Sequence, residues 1–131
     1  MMKKFELVKF KTFDDERGSL TALELPDFFD WPLKRFYYVT GTKMSRGGHA
    51  VRGEKKLYVM MQGSAVARIH DGEKWHEHKL QGPSEGLLMN ELCFREFTDF
   101  SDEAVLAVLS NMPYNPEAYI YDLDEFLKEV N

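Results

Sequence analysis

Short apolar runs rich in aromatic and β-branched residues recur along this chain, each closed by a turn signal after about eight to twelve residues. The clearest are KRFYYVTG (34–41), KLYVMMQG (56–63), SAVARIHDG (64–72) and AVLAVLSN (104–111). Runs this short suit strands better than buried helices, and their residue types pack well on a pleated surface. Phe5, Leu7, Val8, Phe10 and Phe13 make a further half-buried strand, ended by the turn residues at 14–18, and SLTALEL (19–25) is the next. Pro26-Asp27 and Trp31-Pro32 bracket a loop, while KWHEHKLQG (74–82) and GLLMNELCFREFTDF (86–100) complete the set. Asp71-Gly72 is a hairpin signal, because tight turns of the favoured hand need residues that tolerate positive φ. No helical period separates these runs, so the pattern predicts an all-β sandwich or barrel.

One segment departs from the rule. Asn115-Pro116 offers an N-cap followed by proline at a first helical position, and Tyr119, Leu123, Phe126, Leu127 and Val130 fall on one helical face. A single amphipathic helix over 116–130 is expected, packed on the barrel or on a neighbouring subunit.

At 131 residues, 44% hydrophobic and 14% aromatic, the chain reads as a single domain spanning 1–131 with enough apolar mass for a core. A net charge of -5 argues against a nucleic-acid partner, since a phosphate-tracking surface carries a basic excess. Cys93 is the one cysteine, which excludes an intrachain disulfide, and the charged, alternating start MMKKFELVKFKTF is unlike a secretory signal. No apolar run approaches the roughly 18 residues of a membrane helix. These features predict a soluble, cytoplasmic protein with no membrane partner.

The chemistry gathers in RGGHAVRGEKK (46–56), where His49 sits beside a glycine pair and is ringed by Arg46, Arg52, Lys55 and Lys56. A metal-binding barrel of the cupin type would place a second histidine two residues on and a third on a later strand, imidazole and carboxylate being the usual ligands. Here those positions hold Val51 and Arg95, and an arginine does not coordinate. Glu54 alone, beside several cations, makes a poor site, so no metal and no cofactor are expected. His76 and His78 alternate toward one face, next to the run holding His70, and are read as part of a solvated outer face with Glu73, Lys74, Glu77 and Lys79.

The order DERGSLTALE, LKRFYYV, RGGHA, GSAVARIHDG, GLLM, FTDFSDEAVLAVLS and EAYIYDLDEF resembles the cupin-like sugar 3,4-ketoisomerases, across nearly the whole chain. The resemblance implies a small antiparallel jelly-roll barrel without metal, forming a homodimer that exchanges an N-terminal strand. It implies a dTDP-linked 4-keto-6-deoxyglucose substrate converted to its 3-keto isomer, on the way to deoxyamino sugars of surface polysaccharides such as lipopolysaccharide O-antigen. His49 matches the family's catalytic base, and Arg17, Arg46, Tyr37 and Arg95 fall in segments that line its active site. Three positions depart from the family: Val51 replaces a second histidine, Lys56 a frequent glutamine, and Tyr121 an arginine.

Moving a carbonyl from C4 to C3 requires taking a proton from C3, stabilising an enediolate and returning a proton to C4. An imidazole is the side chain best matched to both transfers near neutral pH. Arg17, Arg46, Lys56 and Tyr37 are the candidate donors to the enediolate, and nearby cations would keep His49 neutral. Lys56 reads more readily as a solvated strand-edge charge, Arg17 also as a brace for its own turn, and Tyr37 also as a core aromatic. Arg95, Arg52, Lys56, Tyr119 and Tyr121 are candidate contacts to the nucleotide and substrate, with Phe94, Trp31 and Tyr119 as stacking partners for the base. Arg95 shares a strand face with Cys93 and Phe97; pointing inward, it demands an anion, for which a ligand phosphate is the expected source. Two other readings stay open: a nucleotide-sugar isomerase or epimerase of changed specificity, and a non-catalytic nucleotide-sugar-binding protein.

Overall fold

The computed structural model describes residues 3–131. Numbered along the chain, twelve strands precede one helix. One five-stranded sheet has the spatial order β1 (Phe5–Lys9), β9 (Glu85–Met89), β6 (Lys56–Gln62), β11 (Val105–Ser110), β4 (Arg35–Thr40). The other runs β12 (Tyr119–Ile120), β5 (Arg46–Val51), β10 (Phe94–Thr98), β7 (Ser64–His70), β8 (Trp75–Gln81). Neighbours pair antiparallel throughout, as in β11 against β6 and β10 against β7. A separate hairpin, β2 (Lys11–Asp15) with β3 (Gly18–Ala22), joins neither sheet. The fold is the all-β barrel that the turn spacing anticipates, of the cupin-like kind that the family resemblance implies.

Met60, Ala67, Ile69, Leu87, Leu106 and Val108 fill the space between the sheets. Leu57, Val59, Ala107 and Leu109 face the other way and are covered by Leu25, Phe28, Phe29 and Trp31 from the loop before β4. Strands β6 and β11 are therefore buried on both faces, which is why KLYVMM and AVLAVL read as continuous apolar runs. Edge strand β4 keeps its alternation, with Tyr37 and Val39 half-buried and Phe36 and Tyr38 exposed.

The run 5–13 is not one strand. It breaks at Phe10, whose backbone N–H donates to Ser84 O at 2.8 Å while its buried ring packs edge-on against Phe28. The stretch 86–100 likewise breaks at Asn90–Cys93, where the chain crosses from one sheet to the other. Asn90 holds that crossing by donating from its backbone to Lys4 O at 2.7 Å and from its side chain to Lys3 O at 3.0 Å. The glycine-rich segment at 46–51 is strand β5. Gly47 lets it close on β10: its φ is +94°, and a Cβ there would lie 2.9 Å from Arg95 O, at a register shift between Arg95 and Glu96.

The C-terminal helix is shorter than 116–130. Asn115-Pro116 does start a turn, with Asn115 Oδ1 accepting from Glu117 N–H, but the turn is a single 3-10 winding over Pro116–Ala118. Tyr119 and Ile120 then pair with Val51 and Ala50 as β12, a ladder that a continuous helix would forfeit. The helix proper, α1, spans Leu123–Val130 behind the N-cap Asp122. Its Phe126 is fully buried against Ala50, Phe94 and Ile120 on the outer face of the second sheet. His76 and His78 also correct the sequence reading, since they are half-buried, stacked 6.5 Å apart, and pack on Phe5 rather than facing solvent. Opposite Ile69 and Ala67, they share the inner face of the sheet. His70 lies on the other face, with its ring against Trp75 and Phe126.

Truncating Phe126 to alanine removes the ring that clamps α1 over β5. Denaturant unfolding of Phe126→Ala should show a loss of about 3–5 kcal/mol, the usual cost of emptying a buried aromatic site.

Candidate active site

Strand alternation aims six side chains at one cavity between the sheets: Tyr37, Lys56 and Tyr58 from the first sheet, His49, Arg95 and Phe97 from the second. The cavity holds about 100 Å³ and is lined further by Arg46, Val39, Phe100, Leu106 and Val108. His49 and Arg95 are direct partners across β5 and β10.

Two cations are buried here, Lys56 at 1% and Arg95 at 3% exposure, and burial of that kind requires an anion. Glu54 supplies it. One carboxylate oxygen accepts from Arg95 Nη2 at 2.9 Å and pairs with Lys56 Nζ at 3.1 Å, while the other accepts from Ser110 Oγ at 2.8 Å. Each cation also donates to a phenol: Arg95 Nε to Tyr58 OH at 3.0 Å, Lys56 Nζ to Tyr37 OH at 2.8 Å. Burial and the neighbouring Arg95 charge push the Lys56 pKa below its usual value, opposed by Tyr37 and Glu54. Burial raises the pKa of both phenols, keeping them protonated.

His49 stands in the field of this cluster. Desolvation first, then the charges of Arg95 and Lys56, lower its pKa to about 3. Its Nδ1 is buried and has no hydrogen-bond partner in the structure. Tyr119 and Tyr121 form the adjoining wall, with ring centroids 4.8 and 6.1 Å from the imidazole.

The structure thus gathers His49, Tyr37, Lys56, Arg95 and Arg46 around the cavity and sets Tyr119 and Tyr121 beside it. Lys56 is no strand-edge charge. The anion facing Arg95 belongs to the chain itself, where the sequence reading assigned it to a ligand phosphate. Arg52 lies outside the cavity lining, with its guanidinium on Glu129 and Glu125 of α1. Arg17 is at the tip of the β2–β3 hairpin, exposed and paired with Asp15 at 2.6 Å. Of the three stacking candidates, Phe94 is buried under α1 and Trp31 is stacked on Phe29, which leaves Tyr119 beside His49. Sequence reasoning passed over Glu54 as a partner, and also Tyr58 and Ser110. The signal was present: Lys56, Tyr58 and Met60 share one face of a buried strand, and a lysine there needs an anion.

Residues 3–131 match the sequence profile of the WxcM-like, C-terminal family. The chain belongs to that family. A TDP-4-oxo-6-deoxy-alpha-D-glucose-3,4-oxoisomerase from Aneurinibacillus thermoaerophilus is 33% identical over 127 residues, 95% of this chain and 91% of that protein. A 3,4-ketoisomerase from Helicobacter canadensis superposes with a TM-score of 0.89 at 35% identity, covering 98% of both chains. The WxcM-like chain is equally similar in fold to a ketoisomerase mutant from Thermoanaerobacterium thermosaccharolyticum solved with TDP-4-keto-6-deoxyglucose: TM-score 0.89, 30% identity, 98% of this chain and 95% of that one.

A pKa of about 3 means that His49 is neutral throughout the physiological range and takes up its proton only in strong acid. In an NMR titration of the unliganded protein its ring signals should hold their neutral-form shifts from about pH 8 down to about pH 5, where an ordinary histidine would be half protonated near 6.5. Removing the carboxylate in Glu54→Ala leaves two buried cations uncompensated and should cost about 3–5 kcal/mol in denaturant unfolding. Arg52→Ala, which breaks an exposed pair, should leave the unfolding midpoint nearly unchanged.

Proposed function

We propose that this chain is a nucleotide-sugar 3,4-ketoisomerase, acting on a thymidine-diphosphate-linked 4-keto-6-deoxyhexose, with His49 as the group that carries hydrogen from C3 to C4. The observation that supports the reading best is the pairing of a neutral imidazole with buried, fixed cations around one small cavity. A neutral imidazole is competent to accept a proton, and fixed donors act on the charge that this transfer creates.

The imidazole takes the C3 proton, the C3–H electron pair becomes the C3=C4 bond, and the C4 carbonyl pair moves onto O4. Charge on O4 is stabilised by the cavity donors. In the return, the C3=C4 pair takes a proton at C4 from the imidazolium. The O3–H pair closes the new C3 carbonyl, and the hydroxyl proton ends on O4. Electrons are redistributed within the sugar, so the balance needs no external oxidant. Arg46, on the open side of the cavity, is the cation best placed for the diphosphate, and Tyr119 and Tyr121 offer flat faces to the sugar or the base.

The proposal extends to assembly and setting. Phe13 and Leu20 are about 60% exposed on a hairpin that joins neither sheet, and Leu7 of β1 is half exposed. A homodimer exchanging N-terminal strands would cover them and bring Arg17 toward a partner's site. The enzyme would work in the cytoplasm as one domain, supplying deoxyamino sugars for surface polysaccharide. No helix among the described residues is long and apolar enough to cross a membrane.

Incubation with thymidine-diphospho-4-keto-6-deoxyglucose in heavy water should yield the 3-keto isomer with partial deuterium at the migrating position. His49→Asn should lower the rate by about 10²-fold or more while TDP still binds. A variant that retained the wild-type rate would place the base elsewhere.

A further inference from the structure

Lysine ammonium and arginine guanidinium groups carry donors and no acceptors. Wherever one of them touches a phenol, the phenol oxygen is the acceptor and its own proton remains to be given. Tyr58 is in this state: its oxygen accepts from Arg95 Nε at 3.0 Å, and no acceptor for its O–H appears among the described residues. The ring is 3% exposed, packed on Phe97 at 4.8 Å, and lines the cavity that holds His49. Tyr37 repeats the pattern with Lys56, whose Nζ lies 5.2 Å from the Tyr37 ring centroid and 5.7 Å from that of Tyr58. Two phenols thus flank one ammonium, each with its oxygen engaged by a cation. A buried donor with no acceptor is costly, and a ligand oxygen in the cavity would remove that cost.

Taken with the ketoisomerase reading, on which it rests, this geometry assigns a further catalytic residue. We propose that Tyr58 donates its phenolic hydrogen bond to an oxygen of the enediolate, beside Tyr37, and that Arg95 is the positioning residue that commits Tyr58 as a donor. An enediolate carries two adjacent oxygens, and two committed phenols meet it without any proton changing owner at either tyrosine. Arg95 is itself fixed by Glu54, so the donor is preorganised before substrate enters. Burial raises the Tyr58 pKa, which keeps the hydroxyl protonated in the working range.

The test is Tyr58→Phe, which removes one oxygen from a buried ring. With thymidine-diphospho-4-keto-6-deoxyglucose as substrate, kcat should fall by about 10²-fold or more, the usual loss on deleting one oxyanion donor. Deuterium exchange at C3 should fall in parallel, with TDP affinity close to wild type and Tm lowered only modestly, because Arg95 Nε loses its acceptor. A variant within about threefold of wild-type kcat overturns the assignment, and so does a loss of rate matched by an equal loss of TDP affinity. Should Tyr58→Phe fail to fold, 3-fluorotyrosine at position 58 keeps the hydroxyl while making it more acidic. The basic limb of the kcat profile should then move to lower pH, and an unmoved limb overturns the proposal. A wild-type protein inert on this sugar, with no C3 exchange, sinks the ketoisomerase reading and this inference with it, whereas an active wild type with an unimpaired variant sinks the inference alone.

Discussion

The rest of the site depends on one carboxylate. Glu54 lies buried between Arg95 and Lys56, and without it neither cation could be held in the space between two apolar sheets. The arrangement is deliberately unbalanced, with two cations sharing one anion and a cavity wall that keeps a surplus of positive charge. That surplus has three visible effects: it depresses the proton affinity of His49, it engages the oxygens of Tyr37 and Tyr58, and it leaves the pocket short of negative charge. An enediolate is the transient anion that such a wall favours.

The same surplus opposes the base it surrounds. A histidine with a pKa of about 3 is neutral but a reluctant proton acceptor, since burial first, and then the charges of Arg95 and Lys56, penalise the imidazolium. Substrate resolves part of this conflict. On the proposed reading, the substrate's diphosphate would bring negative charge toward the cavity, and the developing enediolate would add more beside the ring. Both raise the proton affinity of His49 when a proton must be accepted. On that reading the imidazole is kept neutral at rest by the protein and would be made basic by the complex.

Much of this was legible in the sequence, for reasons that can be named. The strands were readable because turn signals punctuate them and because β4 and β10 keep a two-residue alternation that separates Tyr37 from Tyr38 and Arg95 from Phe94. His49 stood out because no other histidine lies in the glycine-rich, cationic segment. What stayed hidden was pairing across the fold. Glu54 reaches Arg95 from 41 residues away and Ser110 from 56, distances at which no local pattern operates. The helix boundary was misread because Tyr119 fits both a helical stripe and a strand, and the ladder to Val51 decided the matter. Arg52 looked like a phosphate ligand by its neighbours in sequence, yet it lies in the turn just after β5 with its guanidinium on the acids of α1.

Val51 bears on how a chain without a second histidine keeps the chemistry. It is 2% exposed on β5, pairs with Tyr119, and is absent from the cavity lining, so its place has been given to packing. Among the described residues His49 is the one imidazole lining the cavity, and on the proposed reading both proton transfers would fall to it. An imidazole that takes a proton on one ring nitrogen holds it apart from the proton on the other, unlike an ammonium, whose three are equivalent. In a cavity of about 100 Å³ walled by apolar side chains and tethered cations, exchange of that proton with water competes with its delivery to C4. On the proposed reading, the ring that takes the hydrogen from one carbon would return it to the next, while fixed donors hold the enediolate in place between the two transfers.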